Sequence, residues 1–246
     1  MNNLLAQKLG HFVKLSADDR EALDDMAENK VRDCRARHDI IREGDRPDHV
    51  NLILSGWACR YKVLEDGRRQ IVSFFLPGDL CDLHVYVLRE MDHSIGAITP
   101  VTYAQVPREA FEAAVEGRHR LMQGLWWDTL VTSAIQREWT TDIGQRSAVE
   151  RIAHLLLEMF YRLEAVGLTD GNACDFPLTQ IELADAMGMT PVHVNRMLQE
   201  LRGAGLIELG GRRLAILDRD GLARAAQFNP NYLHLRREGR HLDANE

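Results

Sequence analysis

The chain has 246 residues, of which 45% are hydrophobic and 27% charged, and it carries a formal net charge of −7 at pH 7. This composition is typical of a globular protein long enough for two modest domains. It excludes a surface coated with positive charge for nucleic acid, so any DNA-binding function must depend on a local surface.

The N-terminal residues and the apolar runs predict neither a secretion signal nor a membrane span. Polar residues, among them Lys8 and Lys14, interrupt the first apolar residues before these reach the length of a signal peptide. No window approaches the length of a membrane helix. The four cysteines contain no CxxC pair that would indicate structural zinc. We therefore expect a soluble cytoplasmic protein with free thiols.

Residues 39–106 show short β-rich runs separated by glycine-centred turns. The runs include NLIL, ACRYKVL, QIVSFFL and VTYAQV. The turns contain Gly44, Gly56, Gly67 and Gly78, which follow one another at spacings of 12, 11 and 11 residues. This repeat of strand, turn and strand predicts a β-roll or barrel. We therefore assign residues 1–106 to a β-roll domain.

Residues 107–143 form a long segment that has no proline after Pro107 and no strand signal. One apolar stripe on it consists of Phe111, Val115, Met122 and Trp126, and a neighbouring one of Leu121, Leu125, Val131, Ile135 and Trp139. Two stripes imply two partners, the helix's own domain and the same helix of a second subunit. A single buried core helix is the alternative. We favour the dimer because one small roll cannot cover so long a helix.

A helix-turn-helix pattern begins at Gln180. Ala184, Gly188 and Val194 follow it by 4, 8 and 14 residues. This unit requires a small residue where the helices cross, a turn residue with positive φ and an apolar core residue at these places. The first helix offers Ile181, Leu183, Ala184 and Met187 for burial, and the second offers Val194, Met197, Leu198 and Leu201.

The second helix of this unit leaves a polar face exposed. Thr190 is expected to cap the helix and Pro191 to be its first residue, where the missing N–H of proline is not needed. The residues left outside are Val192, His193, Asn195, Arg196, Gln199 and Arg202. Arginine can bond O6 and N7 of guanine, and asparagine can bond N6 and N7 of adenine. Asn195 and Arg196 are therefore candidate base readers, and His193, Gln199 and Arg202 are candidate contacts to bases or phosphates.

A small β-hairpin, or wing, is predicted after this helix. The runs LIEL and RRLAIL flank Gly210-Gly211, a pair typical of a two-residue turn. From Thr190 to Arg213 there are 4 arginines against 2 glutamates, a balance of +2. Such a surface can contact phosphates through the helix and through Arg212 and Arg213. We assign residues 144–246 to a winged helix-turn-helix domain with a C-terminal tail.

The order of these features resembles the Crp/Fnr family of bacterial transcription regulators. The glycine-punctuated roll, the PGD corner at residues 77–79, the long helix and the winged helix-turn-helix with Arg196 together span nearly the whole chain. The resemblance implies an α+β protein with a cyclic-nucleotide-binding-type sensor domain, a dimerisation helix and a DNA-binding domain. It implies a homodimer on a palindromic promoter site, with RNA polymerase as a further partner. It also implies that Arg196 reads a guanine and that Asn195 is the neighbouring polar reader.

Val192 departs from the family pattern, which usually places a glutamate there. Valine cannot accept a hydrogen bond from N4 of cytosine, but it can contact the methyl group of thymine. The half-site is therefore expected to differ from the best-known ones.

The residues that would bind an effector depart further. Members that bind cyclic AMP carry a Gly-Glu pair for the ribose and an Arg-Ser pair for the phosphate, and the matching positions here are Asp82-Leu83 and His93-Ser94. Leu83 cannot bond a hydroxyl, Asp82 would repel a phosphate, and His93 lacks the fixed bidentate charge of arginine. The sequence therefore argues against cyclic AMP as the effector.

No cofactor is predicted. Cys34, Cys59 and Cys81 lack the cysteine spacing of the iron-sulfur members of the family. A haem held by His84, His93 or Cys81 and a redox-responsive Cys81 thiol stay open as alternatives, although isolated histidines and cysteines form no pattern that requires them.

Two other classes of function are alternatives to a DNA-binding regulator. One is a ligand- or redox-sensing module that acts through protein contacts, which Val192 and the acidic total favour, and which Asn195, Arg196 and the wing oppose. The other is an enzyme, for which the sequence offers no GxSxG, HExxH or Walker A motif. We expect a regulator and no enzymatic activity.

Overall fold

The computed structural model describes residues 3–83 and 85–235 of an α+β protein. His84 and the tail residues 236–246 lie outside the described residues. One compact unit is built from the described residues of Met1–Lys62, Ser73–Ser133 and His234–Glu246, and the other from Val63–Val72 and Ala134–Leu233. Within the described part of the chain, no helix is long and apolar enough to cross a membrane.

The predicted roll consists of two four-stranded sheets, with the orders β1-β8-β3-β6 and β2-β7-β4-β5. The strands are β1 (Val31–Cys34), β2 (Asp39–Ile41), β3 (His49–Ser55), β4 (Ala58–Val63), β5 (Arg69–Phe75), β6 (Leu80–Cys81), β7 (Ser94–Ala97) and β8 (Val101–Pro107). The four apolar runs of the sequence correspond to β3, β4, β5 and β8. The other four strands have at most four residues each, which is too short for a recognisable alternation.

The four turn glycines all adopt positive φ, between +80° and +92°. At Gly56 the requirement is also steric, because a Cβ there would lie 2.1 Å from the carbonyl oxygen of Pro100. At Gly78 a Cβ would lie 3.0 Å from the backbone of Leu4. The four glycines in the sequence therefore mark the positions of turns in the roll.

Two helices that were not predicted precede the roll, α1 (Leu4–Leu9) and α2 (Ala17–Glu28). Lys8 of α1 lies 2.7 Å from Asp79 and 2.5 Å from Asp128, and both carboxylates are buried. Burial by itself lowers the pKa of Lys8, but the charges and hydrogen bonds of Asp128 and Asp79 outweigh it and raise the pKa to about 12. This ion triplet joins α1 to the PGD corner and to the helix that carries Asp128.

The single helix expected over residues 107–143 is two helices, α3 (Arg108–Val115) and α4 (His119–Gln145). The chain turns between them at Gly117, where φ is +71°. The sequence pattern missed this break because the apolar spacing continues across it. All five residues of the second predicted stripe are buried, whereas Trp126 of the first stripe is 61% exposed.

The second unit contains the remaining elements. They are α5 (Ala148–Ala165), β9 (Thr169–Asp170), β10 (Ala173–Asp175), α6 (Gln180–Met187), α7 (Pro191–Gly203), β11 (Ile207–Gly210), β12 (Arg213–Ile216) and α8 (Arg219–Ala226). The strands form one sheet in the order β11-β12-β10-β9. Together α6, α7 and the β11–β12 hairpin form the predicted winged helix-turn-helix.

The central helix of this unit, α5, buries two polar residues among its apolar ones. His154 and Glu158 have no exposed surface. Glu158 accepts hydrogen bonds from Trp139 Nε1 and from the Tyr232 hydroxyl, both at 3.1 Å. Burial raises the pKa of Glu158, against the opposing charge of Arg162. These contacts tie α5 to the end of α4 and to the segment after α8.

Candidate nucleic-acid interface

The helix-turn-helix is held by caps that the sequence specifies. The Thr190 hydroxyl accepts a hydrogen bond from the amide of His193 at 3.2 Å, and Pro191 is the first residue of α7. Gly188 ends α6 with φ +63° in the left-handed region. The preceding helix begins with Thr179 and Glu182, whose side chains cap each other's backbone amides. The turn geometry therefore follows from single residues at fixed positions.

The buried face of α7 is the predicted one. Val194, Met197, Leu198 and Leu201 are all buried. On α6, Leu183, Ala184 and Met187 are buried as expected, but Ile181 is 59% exposed, so its predicted burial is wrong. On an eight-residue helix Ile181 lies about 120° to 160° away from the direction shared by Leu183 and Met187, at about 100° per residue.

The opposite face of α7 is open to solvent. Val192 is 81% exposed. Thr190, Arg196, Gln199 and Arg202 are also exposed, while His193 and Asn195 are half-buried. Gln199 Nε2 donates to Asn195 Oδ1 at 3.4 Å, one helical turn away. This surface presents an apolar side chain, two amides and two guanidinium groups, a set that can contact base edges in a major groove.

The wing lies next to the C-terminal end of this helix. Its strands pair from Ile207 with Ile216 to Gly210 with Arg213, so the two-residue turn is Gly211-Arg212 and not the expected Gly210-Gly211. Both turn residues have positive φ, +58° and +64°, as a type I′ turn requires. The turn places Arg212 at the exposed tip of the wing.

Two of the predicted arginines also make contacts within the domain. Arg202 donates from Nη2 to the carbonyl of Leu209 at 2.5 Å, which joins α7 to the wing. Arg213 forms an ion pair with Asp170 at 2.7 Å, between side chains that are 49% and 87% exposed. Such an exposed pair adds little stability and can exchange for a phosphate contact.

In the β-roll, two of the four candidate effector-pocket residues, Asp82 and His93, lie together. His93 Nε2 lies 2.9 Å from Asp82 Oδ2, and His93 Nδ1 lies 2.6 Å from Asp92 Oδ1. Leu83 is half-buried. The buried Ser94 does not join this group, because its hydroxyl accepts a hydrogen bond from the amide of Glu43 at 3.0 Å.

Arg60, which no sequence pattern singled out, completes the cluster. Its Nη2 donates to Asp82 Oδ1, and its Nε lies 3.2 Å from His93 Nε2. Its guanidinium lies 5.1 Å from the centre of the Phe75 ring. The only signal was an arginine within the apolar run ACRYKV. Because His93 and Asp82 are distant from Arg60 in sequence, spacing alone could not pair them.

The cysteines show no feature of a reactive or metal-binding site. All four are free. Burial raises the pKa of Cys81 well above its ordinary value, and the charge of Asp82 adds to the effect. This thiol is therefore protonated at neutral pH, which disfavours the redox alternative. Among the described residues, no group of three or more His, Cys, Asp or Glu side chains is arranged to hold a metal ion.

Comparison with known proteins assigns the same two parts of the chain. Residues 31–118 match the model of the cyclic nucleotide-binding domain, and residues 150–225 match the Crp-like helix-turn-helix domain. With the geometry of α6, α7 and the wing, these matches define a DNA-binding transcription regulator of the winged helix-turn-helix class.

The closer relatives identify the family. The transcriptional activator protein FnrL of Cereibacter sphaeroides is 32% identical over 189 residues, which cover 76% of this chain and 75% of that protein. The nitrogen fixation regulation protein FixK of Bradyrhizobium diazoefficiens is 32% identical over 181 residues, 73% of this chain and 74% of that protein. The solved structure of FixK2 from Bradyrhizobium japonicum superposes with a TM-score of 0.71 at 27% identity, covering 80% of this chain and 96% of that one. The chain belongs to the Crp/Fnr family, and it is a transcription regulator and not an enzyme.

Proposed function

We propose that this regulator binds a palindromic promoter site as a homodimer, with α7 in the major groove and the wing on the backbone. The exposed face of α7 carries the proposal: Val192, Arg196 and Gln199 are open to solvent, while the opposite face anchors the helix in its domain. Arg212 at the wing tip adds a positive charge beside this surface. The assignment of bases to Asn195 and Arg196 belongs to the same proposal, as does a cytoplasmic location.

The dimer is supported by an apolar pair on α4. Trp126 and Leu130 lie one helical turn apart and are 61% and 59% exposed. Large apolar side chains at this spacing are typical of a helix that packs against a second helix. A second copy of the chain is the partner we propose, because a two-fold axis would bring the same pair from both helices together. Two recognition helices would then contact half-sites roughly 34 Å apart.

The effector is proposed not to be cyclic AMP. The Leu83 side chain offers no polar atom to a ribose, the Arg60 guanidinium is already bound to Asp82, and His93 Nε2 lies 2.9 Å from the same carboxylate. RNA polymerase is proposed as a further partner on the strength of the family membership.

Selection of bound fragments from random DNA, followed by footprinting, tests the proposed DNA binding. We expect an inverted repeat whose two halves are protected one helical turn apart. Recovery of fragments without an inverted repeat would contradict sequence-specific binding by a dimer. It would favour the alternative function, a ligand- or redox-sensing module that acts through contacts with other proteins.

A further inference from the structure

We propose that Asp82 is a built-in anion, which occupies an oxyanion-binding site formed by Arg60 and His93 in the β-roll. The inference goes beyond DNA binding and concerns the roll alone. It assigns to the chain a binding site that is filled by one of its own side chains.

The contacts of Asp82 are those of a bound oxyanion. Its two carboxylate oxygens are used separately, Oδ1 by Arg60 Nη2 and Oδ2 by His93 Nε2 at 2.9 Å. A guanidinium N–H and an imidazole nitrogen on separate oxygens of one group are contacts that a carboxylate or a phosphate can make. The three side chains are only 14%, 18% and 11% exposed for Arg60, Asp82 and His93. The site is thus largely closed to water.

The backbone at residue 82 is shaped to present this side chain. Asp82 has φ +57°, in the left-handed region where glycine is favoured and where Asp is among the few other residues tolerated. It directly follows the buried strand residue Cys81. A glycine would adopt the same backbone more easily, but it would leave Arg60 and His93 without the carboxylate. Aspartate is therefore less favourable than glycine for this backbone conformation, but it supplies the negative charge.

Arg60 is committed to this site by its surroundings. One face of the guanidinium lies over Phe75 at 5.1 Å, and Phe75 belongs to the apolar core cluster that also contains Cys81 and Ile95. A cation beside such a core needs a counter-charge, since an unpaired buried charge is strongly destabilising. Asp82 supplies that charge without any diffusible ligand. The site is therefore specific for an anion, and in the native chain it is already satisfied.

Removal of the Asp82 carboxylate should create a site for a free oxyanion. The test compares the native chain with Asp82→Gly, which suits the positive φ, and measures binding of inorganic phosphate by calorimetry. We expect the variant to bind phosphate at least about tenfold more tightly than the native chain. Phosphate should also raise the thermal unfolding temperature of the variant but not that of the native chain. The double variant Asp82→Gly/Arg60→Gln should lose both effects.

Asp92→Asn is the matched control, since it removes the exposed carboxylate on the other side of His93 and leaves Asp82 in place. It should stay as indifferent to phosphate as the native chain. If Asp82→Gly does not fold, Asp82→Asn keeps the size of the side chain and removes its charge. Equal phosphate binding by the native chain and the folded variant, or binding by neither, would overturn the proposal. None of these measurements uses DNA, so their outcome is independent of the proposed promoter binding.

Discussion

Arg202 and Leu209 are joined by a hydrogen bond of 2.5 Å from the guanidinium Nη2 to the carbonyl oxygen. Arg202 lies in the last turn of α7, and Leu209 lies in the first strand of the wing. The bond therefore fixes the direction of the wing relative to the helix that is proposed to enter the major groove. It also leaves the remaining N–H groups of the guanidinium at an exposed edge, where a phosphate can accept from them.

We expect Arg202→Ala to weaken binding to all DNA sequences alike and to reduce the salt dependence by about one phosphate contact. Arg202→Lys separates the two roles of the side chain, because lysine keeps the charge but lacks the fork that can hold Leu209 and a phosphate together. Titrations at several salt concentrations measure both. Native affinity of Arg202→Lys would show that the wing does not need this bond.

Arg196→Ala tests the proposed guanine reader. Loss of a bidentate contact to a base should weaken binding to the selected site by about 1 to 3 kcal/mol and relax the preference at one base pair of each half-site. Arg224 is an exposed arginine on α8, and Arg224→Ala serves as the matched control. Competition binding against single-base variants of the site measures the preference. An equal loss on every variant would make Arg196 a phosphate contact instead.

Val192 should distinguish thymine from cytosine through a methyl group. Replacement of the contacted thymine by deoxyuridine removes only that methyl, and about 0.8 kcal/mol of binding, roughly fourfold in affinity, should be lost. In Val192→Ala the deoxyuridine substitution should have little further effect, since the apolar partner is gone. Val192→Glu should shift the preference at this position towards cytosine.

An unchanged affinity for the deoxyuridine site would remove Val192 from the set of base-contacting residues. The comparison needs only synthetic duplexes of the selected sequence. The comparison measures the change in affinity caused by one base pair, so its result does not depend on the roles of Asn195 or Arg196.

Leu130→Glu tests the dimer surface on α4. A carboxylate placed beside its symmetry mate in an apolar interface should weaken dimerisation at least about tenfold, because burial of each leucine contributes about 1.5 to 3 kcal/mol. Sedimentation equilibrium measures the dissociation constant. Val87→Glu changes another strongly exposed apolar residue, 74% exposed, and should leave the dimer intact. A dimer that survives Leu130→Glu with native affinity would place the interface elsewhere.

Lys8 predicts a dependence of stability on high pH. Its pKa is raised from 10.5 to about 12 in the folded chain. A raised pKa of a cation stabilises the fold fully below the unfolded value, and the contribution is lost as the pH rises from 10.5 through about 12. The free energy of unfolding should fall by about 2 kcal/mol over this pH range. Denaturant titrations at several pH values measure it.

Lys8→Met should remove this pH-dependent component and destabilise the fold by about 3 to 5 kcal/mol at pH 7, because two buried carboxylates lose their counter-charge. Lys14→Met changes an exposed lysine and should leave the profile as it is in the native chain. The same slope above pH 10.5 in the native chain and in Lys8→Met would contradict the assignment to Lys8.

The helix-turn-helix was predictable because its determinants are local. Gly188, Thr190 and Pro191 act on backbone within one turn of themselves, and the apolar spacing of α7 follows from the helical period. The turn glycines of the roll are also local determinants, since each one allows the positive φ at its own position. The wing turn was misplaced by one residue because either Gly210 or Gly211 satisfies the composition of such a turn, and only the strand register selects between them.

The features that escaped prediction depend on residues distant in sequence. Arg60, Asp82 and His93 meet only after the strands of the roll have paired, and no spacing rule connects them. Lys8 with its two carboxylates is a case of the same kind. The break at Gly117 was missed for another reason: apolar residues on both sides keep a helical spacing, so the periodicity alone does not reveal that the chain changes direction there.

The attachment of α1 to the PGD corner has a practical consequence for recombinant production. The backbone of Leu4 lies so close to Gly78 that a Cβ there would be only 3.0 Å away, and Lys8 neutralises Asp79 and Asp128 from the same helix. A shortened chain that begins after Leu9 would expose the PGD corner. It would also leave the buried carboxylates of Asp79 and Asp128 without their counter-charge. Shortened forms that start there should be poorly soluble and readily cleaved by proteases, so an affinity tag belongs upstream of an intact α1.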